Sequence, residues 1–491
     1  MSASLPAQPP RSPVAIALVT ALASFTIVMD TTIVNVALHA LAGEFDAPLT
    51  TIQWVTSAYV LALASVIPAA PWAMGRFGAR RVYLGAIALF VLGSALSGLA
   101  WSAESLIAFR ALQGLGGGLI TPVGMSLVLR AAAAAGGRQG MLMSLSGLSL
   151  LVAPALGPVF GGWLVDEISW RWMFLVNVPV GALAVVLGAR IIPADEPSPG
   201  RRLDVPGLLL LSPGFAALIF GLTRANESAD GFAAPDSWLP LLLGAALVLG
   251  FLRRAFTTSG PLLDLRLLRH RPLALGLLSL VPFVMGYFGS MLLTPMYFQL
   301  VRGDGVMESG LMTIQLGLAA GVTMQLAGRL VDRVAARWIV LPGMLLAATG
   351  MGWFAAVAQP GAAEWQLRTS LAVLGAGVGA TMMPSITAAT RSVAPADVPA
   401  ASTLVNIGTQ LATAVGSAVM AVLLAGRLDG AGGDPAAMAE AFRATYVWAV
   451  ALILAAAVPA AFLSRRAPAR PDAAPVGARS EEARQPASHI R

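Results

Sequence analysis

The segment PWAMGRFGAR, residues 71–80, is matched 257 residues later by GRLVDRVAAR, residues 328–337. Both copies carry arginine at their sixth and last positions. Each copy follows the second apolar run in a set of six such runs. A repeat in equivalent positions predicts two halves related by duplication, which is a common architecture of membrane transporters.

The composition of the chain places these halves in a membrane. Of the 491 residues, 57% are hydrophobic and 11% are charged, and the mean hydropathy is +0.78. Soluble domains carry about 25% charged residues. A membrane-spanning helix needs about 20 apolar residues. Fourteen runs of that kind occur, without the alternating pattern of barrel strands: residues 14–41, 51–74, 82–101, 105–129, 139–165, 172–192, 205–222, 237–252, 272–300, 307–328, 338–358, 369–389, 404–425 and 444–462.

The runs predict an all-α membrane protein in five parts. Two six-helix bundles are expected over residues 14–192 and 272–463. Between them, residues 193–271 form a linker with two extra helices. Tails of 1–13 and 464–491 complete the chain, and the second is rich in Pro, Ala and Arg, so we expect it to be disordered.

The basic residues indicate the orientation in the membrane. All 31 are arginines; 17 lie in the six loops on one side and six lie in the seven loops on the other. Cytoplasmic loops carry the excess of positive charge, so both termini are predicted to be cytoplasmic. The net charge of +7 is therefore a topology signal and gives no reason to expect a nucleic-acid partner. We expect a multi-pass protein of the bacterial cytoplasmic membrane.

Several kinds of chemistry are excluded by the residues present. The chain has no cysteine, and its three histidines, His39, His270 and His489, are far apart in sequence. Metal-ligand spacings are therefore missing. An enzyme within the membrane would need paired carboxylates, a metal cluster or an activated nucleophile at depth. The sequence predicts that the protein is not an enzyme and has no cofactor.

Asp30 is the only carboxylate well inside an apolar run. A charged side chain in the bilayer is costly, so intramembrane acids usually have a function. Burial favours the neutral form of a carboxyl, which allows it to hold and release a proton. Asp30 is the candidate proton carrier. The alternative is a protonated aspartate that hydrogen-bonds a neighbouring helix and has no further role.

Arg110 is the basic counterpart, about six residues into the fourth run. Its guanidinium stays charged at all accessible pH values. It must therefore face a cavity, pair with an acid or bind backbone carbonyls. A structural arginine that braces helix packing is the alternative.

Four further segments carry a family resemblance: MDTTIVNVAL (29–38), FRALQGLG (109–116), APALGPVFGG (153–162) and WRWMFLVNVP (170–179). Taken in this order, they resemble the motifs of the fourteen-helix drug:proton antiporters of the major facilitator superfamily, and the resemblance covers nearly the whole chain. It implies the major facilitator fold, with two pseudo-symmetric six-helix bundles and two additional linker helices.

The resemblance also implies site residues. Helices one and four line the central cavity of this family, so Asp30 and Arg110 are expected to pair and to carry proton coupling. Polar and aromatic residues are the candidates for the substrate cavity, although the polar ones can equally bond other helices: Asn35, Tyr59, Gln113, Tyr287, Asn406 and Gln410. His39 stands where the family has proline, and it is either a boundary residue or a pH sensor.

Two sets of residues are candidates for gating and helix packing. Small residues on the fifth helix allow close approach of another helix: Gly157, Pro158, Gly161 and Gly162. The repeated loop contributes charged residues to a cytoplasmic latch: Arg76, Arg80, Asp332 and Arg333. The family's loop aspartate is replaced by Gly75 in the first copy, and only the second copy keeps it.

The resemblance implies efflux of hydrophobic drug-like compounds from the cytoplasm by alternating access, with proton entry as the driving force. The alternative is a dedicated exporter of one endogenous metabolite, natural antibiotic, siderophore or lipid. The expected partners are a small hydrophobic substrate, a proton and membrane lipid. We expect a monomer, and a periplasmic adaptor remains open.

Overall fold

The computed structural model describes residues 12–134, 138–195, 203–228, 230–258, 260–391, 393–394, 396–428 and 430–463. The two predicted tails lie outside these residues, apart from Ser12 and Pro13. Inside the helices, the side chains of Asn35, His39 and Pro158 are also outside the description. All regular structure in the described part of the chain is helical.

The first half consists of six helical segments, three of which are interrupted. They are α1 (Pro13–Glu44), α2 (Leu49–Val66 and Ala70–Phe77), α3 (Ala79–Gly98), α4 (Ala103–Ala134), α5 (Gln139–Gly147 and Ser149–Glu167) and α6 (Trp172–Leu175 and Asn177–Ile191). The break in α2 is a short 3₁₀ turn that contains Pro68, because proline removes a backbone donor from the helix.

The linker and the second half follow. The linker helices are α7 (Val205–Glu227) and α8 (Pro235–Thr257); the remaining six segments are α9 (Arg271–Leu300), α10 (Val306–Leu311 and Ile314–Val331), α11 (Arg337–Val357), α12 (Glu364–Thr390), α13 (Val398–Leu428) and α14 (Pro435–Ala460).

Thirteen of the described helices are long and apolar enough to cross a membrane. The sequence predicts fourteen, and the difference is the fifth span. In the structure this span consists of two helical pieces that meet at Leu148.

The two halves repeat the same helix packing. In the first half α4 packs on α2 and α3, and α1 packs on α5; in the second, α12 packs on α10 and α11, and α9 on α13. Glycines make these approaches possible, because a Cβ at each position would collide with the neighbouring helix. They are Gly114, Gly116 and Gly118 in α4, and Gly375, Gly377 and Gly379 in α12.

A buried carboxylate holds the linker hairpin together. Asp204 caps α7 by accepting a hydrogen bond from the Gly207 N–H (3.0 Å). It also pairs with Arg254 at the end of α8 (2.8 Å) and accepts from the Leu262 N–H (3.2 Å). The linker helix α7 contacts α2 of the first half and α13 of the second. It therefore covers one side of the boundary between the halves.

Candidate functional site

A completely buried ion pair lies between α1 and α4. The Oδ2 atom of Asp30 is 2.6 Å from Nη1 of Arg110, and neither side chain is exposed. Gln113, one turn further along α4, accepts from the same Nη1 (2.7 Å) and donates to Asp30 Oδ1 (2.9 Å). The pair expected from the sequence is thus present, and Gln113 closes it into a ring of hydrogen bonds.

Arg110 is also fixed from the side of α2. Its Nε donates to the Val55 carbonyl (3.1 Å), and its guanidinium lies 4.1 Å from the centre of the Tyr59 ring. This cation–π contact is stronger away from water. Nη2 of Arg110 and the Tyr59 hydroxyl have no hydrogen-bond partner among the described residues. Tyr59 therefore belongs to the ion-pair site, as a support for the guanidinium.

Two residues of this site were not predicted. Asn177, at the start of the long piece of α6, donates from Nδ2 to Asp30 Oδ1 (2.8 Å) and to Ser94 Oγ on α3 (3.1 Å). Ser94 in turn donates to the Phe174 carbonyl (2.9 Å). The available signal was an asparagine inside an apolar run and within the segment 170–179. Asp30 thus connects α1 to α4 and α6, and Asn177 extends the network to α3.

Loss of the hydrogen bond between Asn177 and Ser94 is expected to lower the stability of the protein while leaving the charges of Asp30 and Arg110 in place. We expect Ser94→Ala to lower the free energy of unfolding by about 1–3 kcal/mol, because Asn177 loses a buried partner. The matched control is Ser97→Ala on the same helix, since the Ser97 hydroxyl bonds only the Gly93 carbonyl of its own helix. Thermal unfolding in detergent measures both. Equal effects of the two substitutions contradict a supporting role for Ser94.

The remaining candidate cavity residues lie elsewhere. Tyr287 on α9 is 4% exposed and packs against Phe283 and Phe288 in the apolar core of the second half. Asn406 and Gln410 lie one turn apart on α13 and are half-buried. The Oδ1 atom of Asn406 is buried without a hydrogen-bond partner in the described structure.

The part of α13 that carries Asn406 faces the first half. Its neighbours Ile407 and Leu411 pack against a core cluster that contains Tyr59 of the first half and Phe215 of the linker helix α7. The polar stripe on α13 therefore lies at the boundary between the halves.

The glycines of α5 pack directly against α1 next to Asp30. A Cβ at Gly157 would overlap the Thr32 side chain, and one at Gly161 would press on Ile33. Gly162 has no neighbour within 4 Å that a Cβ would meet. Two of the predicted packing positions thus bring α5 into contact with the helix that carries the aspartate.

A latch between the halves is formed by the second copy of the repeated loop. Asp332 accepts hydrogen bonds from the N–H groups of Gly140 (2.8 Å) and Met141 (3.1 Å) at the N-terminus of α5. It also pairs with Arg391 (2.8 Å), which donates to the Val331 carbonyl (3.0 Å). Because α5 belongs to the first half, these contacts join the two halves. We call Asp332, Arg391 and the N-terminus of α5 the inner latch.

Burial lowers the pKa of the Arg391 guanidinium, and its pairing with Asp332 opposes that change. A carboxylate at a helix N-terminus is also favoured by the helix dipole. The backbones approach closely here, since a Cβ at Gly140 would overlap the Val331 side chain and the Gly328 carbonyl. Charge and packing together hold the two halves in contact at this point.

The first copy of the loop makes no equivalent latch. A Cβ at Gly75 would have no neighbour within 4 Å. Arg76 and Arg333 are exposed and form no ion pair with any described residue. Arg80 instead donates to the Ala189 carbonyl within its own half. Asp195 caps α3 there through the Arg80 N–H (3.1 Å).

Two repeated helical halves, a buried ion pair and a latch across their boundary define a membrane transporter. The family model of the Major Facilitator Superfamily matches residues 20–324 and 306–491. The chain belongs to this superfamily, so it is a multi-pass membrane transporter and not an enzyme. Among the described residues, no group of three or more His, Cys, Asp or Glu is placed to hold a metal.

Similar proteins agree with this assignment. The chain is 37% identical over 482 residues to a "Multidrug resistance protein B homolog" of Mycobacterium tuberculosis, covering 91% of this chain and 89% of that protein. It is 28% identical over 407 residues to "Multidrug export protein EmrB" of Escherichia coli, with coverages of 83% and 79%. The solved structure of the proton:xylose symporter XylE superposes with a TM-score of 0.58 at 16% identity, covering 91% and 94% of the two chains, which supports the fold alone.

Proposed function

We propose that this protein exports hydrophobic drug-like compounds from the cytoplasm and that proton entry through Asp30 drives the export. One observation carries the proposal: the carboxylate of Asp30 is fully buried and bound to Arg110, Gln113 and Asn177. An intramembrane acid with these partners is a costly arrangement, so we infer that it is kept for its proton. The coupling ion is the proton, and the proposal needs no cofactor.

Protonation of Asp30 changes how four helices are held. The carboxylate accepts three hydrogen bonds, one at Oδ2 and two at Oδ1. A neutral carboxyl must donate one bond, and it no longer attracts the guanidinium of Arg110. Uptake of a proton therefore loosens α1 from α4 and α6, while Arg110 keeps its bond to the Val55 carbonyl.

Substrate passage requires the halves to separate. The pocket between α1, α2 and α7 has a volume of about 150 Å³ and is lined by residues that include Leu38, Thr56 and Phe220. Sites for drug-sized compounds have volumes of about 300–1,000 Å³. We propose that opening of the inner latch exposes the boundary that carries Asn406 to the cytoplasm. When the latch closes again, the substrate site opens to the opposite side of the membrane, which is alternating access.

The cargo is inferred from the relatives and from the charges at depth. Two relatives are named for multidrug resistance or multidrug export. The position equivalent to Asp30 in the second half is Tyr287, so the second half lacks a matching acid. A single acid suits neutral lipophiles or monovalent cations. We propose the bacterial cytoplasmic membrane as the location, with both termini in the cytoplasm and a monomer as the unit.

Transport into inside-out vesicles tests this function. We expect a fluorescent lipophile to accumulate when a pH gradient is imposed and to stop accumulating when a protonophore collapses the gradient. Accumulation that does not respond to the gradient contradicts proton coupling. If only a single compound of a broad chemical panel is transported, the protein is a dedicated exporter instead.

The inner latch gives a second test. Charge-assisted hydrogen bonds contribute about 1.5–3 kcal/mol each. Asp332→Ala should therefore raise the equilibrium constant for separation of the halves by at least about tenfold. The chain has no cysteine, so Met143→Cys, in the core cluster that joins both halves, provides a single labelling site. We expect Asp332→Ala to accelerate maleimide labelling of that cysteine in detergent.

The control is Asp195→Ala, which removes the same charge from a helix cap that lies within one half. It should leave the labelling rate unchanged. If both aspartate substitutions accelerate labelling equally, the latch is not what holds the halves together.

A further inference from the structure

A cleft with arginines at its rim lies where the linker joins the second half. It has a volume of about 580 Å³ and is bounded by the start of α9 and the end of α14. Arg269 and Arg271 line it, together with apolar residues that include Leu268, Leu275, Phe462 and Leu463. None of the described residues that line this cleft is acidic.

The two arginines are free to bind an anion. Both are exposed, and neither pairs with an acid in the described part of the chain. Among their neighbours, Arg253 and Arg266 are also exposed, and Asp264 accepts from the Arg266 N–H (3.0 Å) without lining the cleft. Arg254 is already occupied by Asp204. The local charge is therefore positive.

The apolar side of the cleft is open as well. Phe462 is 72% exposed and Leu268 is 40% exposed. In a membrane protein such side chains face acyl chains, whereas arginines at helix ends lie at the level of the headgroups. Positive charge and apolar surface are thus adjacent in one cleft, which is the pattern of sites for anionic lipid headgroups between membrane helices.

We propose that this cleft binds an anionic phospholipid of the cytoplasmic leaflet. Arg269 and Arg271 bind the phosphate, and the apolar wall packs against the start of an acyl chain. The C-terminal residues 464–491, which follow Leu463 in the sequence, carry six arginines and three acids. Their net positive charge makes them a poor competitor for an arginine-lined site.

Lipid retention by the full-length protein tests the proposal. The protein is purified from nanodiscs that contain phosphatidylglycerol and phosphatidylcholine, and the bound lipid is counted by native mass spectrometry. Each arginine near a charged membrane surface contributes about fivefold to affinity, so Arg269→Gln/Arg271→Gln should lower the affinity for phosphatidylglycerol by about 30-fold. Phosphatidylcholine retention should not change.

Two variants make the result specific. Arg368→Gln/Arg443→Gln removes equal charge from arginines paired with Glu364 and Glu440 outside the cleft, and it should retain the lipid. Ala274→Phe fills the cleft and keeps both arginines, and it should lose the lipid while the thermal unfolding midpoint shows that it is folded. Equal retention by the arginine double variant and its control overturns the proposal.

A final arm distinguishes a lipid from a soluble phosphate. Excess glycerol 3-phosphate is added before the lipid is counted. Retained phosphatidylglycerol supports a membrane ligand, because the acyl chain contributes to binding. Complete displacement, or wild-type retention by Ala274→Phe, overturns the lipid assignment.

Discussion

Asp30→Asn is expected to abolish transport driven by a pH gradient, with accumulation in inside-out vesicles falling to the level without protein. Asparagine keeps the shape of the side chain and one acceptor oxygen but can neither bind nor release a proton near neutral pH. If the proton enters through Asp30, the variant has no means of coupling to the gradient. The measurement is gradient-driven uptake of a fluorescent lipophile, at equal amounts of protein in the membrane.

The variant is expected to fold. Removing one partner of a buried ion pair commonly costs about 3–5 kcal/mol, because the remaining charge is uncompensated. Here Arg110 still donates to the Val55 carbonyl and to Gln113. Moreover, the proposed cycle passes through a neutral Asp30, which asparagine imitates. A protein that tolerates the protonated state should tolerate this substitution.

The control must remove a carboxylate without affecting the site. Glu364→Gln does so, since Glu364 lies on the surface and pairs only with Arg368 (3.1 Å). It should transport like the wild type. If Asp30→Asn retains full gradient-driven transport, proton coupling belongs to another group. If it binds substrate but does not transport it, the result supports Asp30 as the proton carrier.

The sequence predicts the ion pair because its two members are rare. A lone acid and a lone base inside apolar runs each need a partner, and the family resemblance puts their helices side by side. The Asp30–Arg110 distance of 2.6 Å agrees with that prediction. Similarly, glycines spaced along α5 indicate close packing, and Gly157 and Gly161 do lie against α1.

Asn177 and Ser94 could not be found in this way. Their role depends on how α3 and α6 are rotated relative to α1, and apolar periodicity does not determine that rotation for helices surrounded by lipid. A single asparagine in an apolar run bonds a neighbouring helix more often than it supports a functional acid. Its donation to both Asp30 and Ser94 is visible only in three dimensions.

The latch was predicted in part. The repeat identifies Asp332, but it does not identify the N–H groups that donate to it, because no side chain at the N-terminus of α5 indicates an anion site. The charge of Arg76 and Arg333 predicts that both take part in the latch, but both are exposed in the structure. Arginines in a loop are therefore a better indicator of the orientation of the protein in the membrane than of ion pairs between the two halves.

Arg110→Met is expected to destabilise the folded protein strongly. The Asp30 carboxylate would lose its charged partner while remaining fully buried, so we expect the free energy of unfolding to fall by about 3–5 kcal/mol. Arg368→Met is the matched control, because its ion pair with Glu364 is exposed and such pairs contribute at most about 1 kcal/mol. Thermal and denaturant unfolding in detergent measure both.

The double variant Asp30→Asn/Arg110→Met separates stability from coupling. With both charges removed, neither is left buried alone, so most of the lost stability should return. Gradient-driven transport should not return, because no titratable group remains at the site. If the double variant is no more stable than Arg110→Met, Arg110 stabilises the fold through Val55 and Tyr59 and not through Asp30. If the double variant regains gradient-driven transport, the proton takes another route and the buried pair is structural.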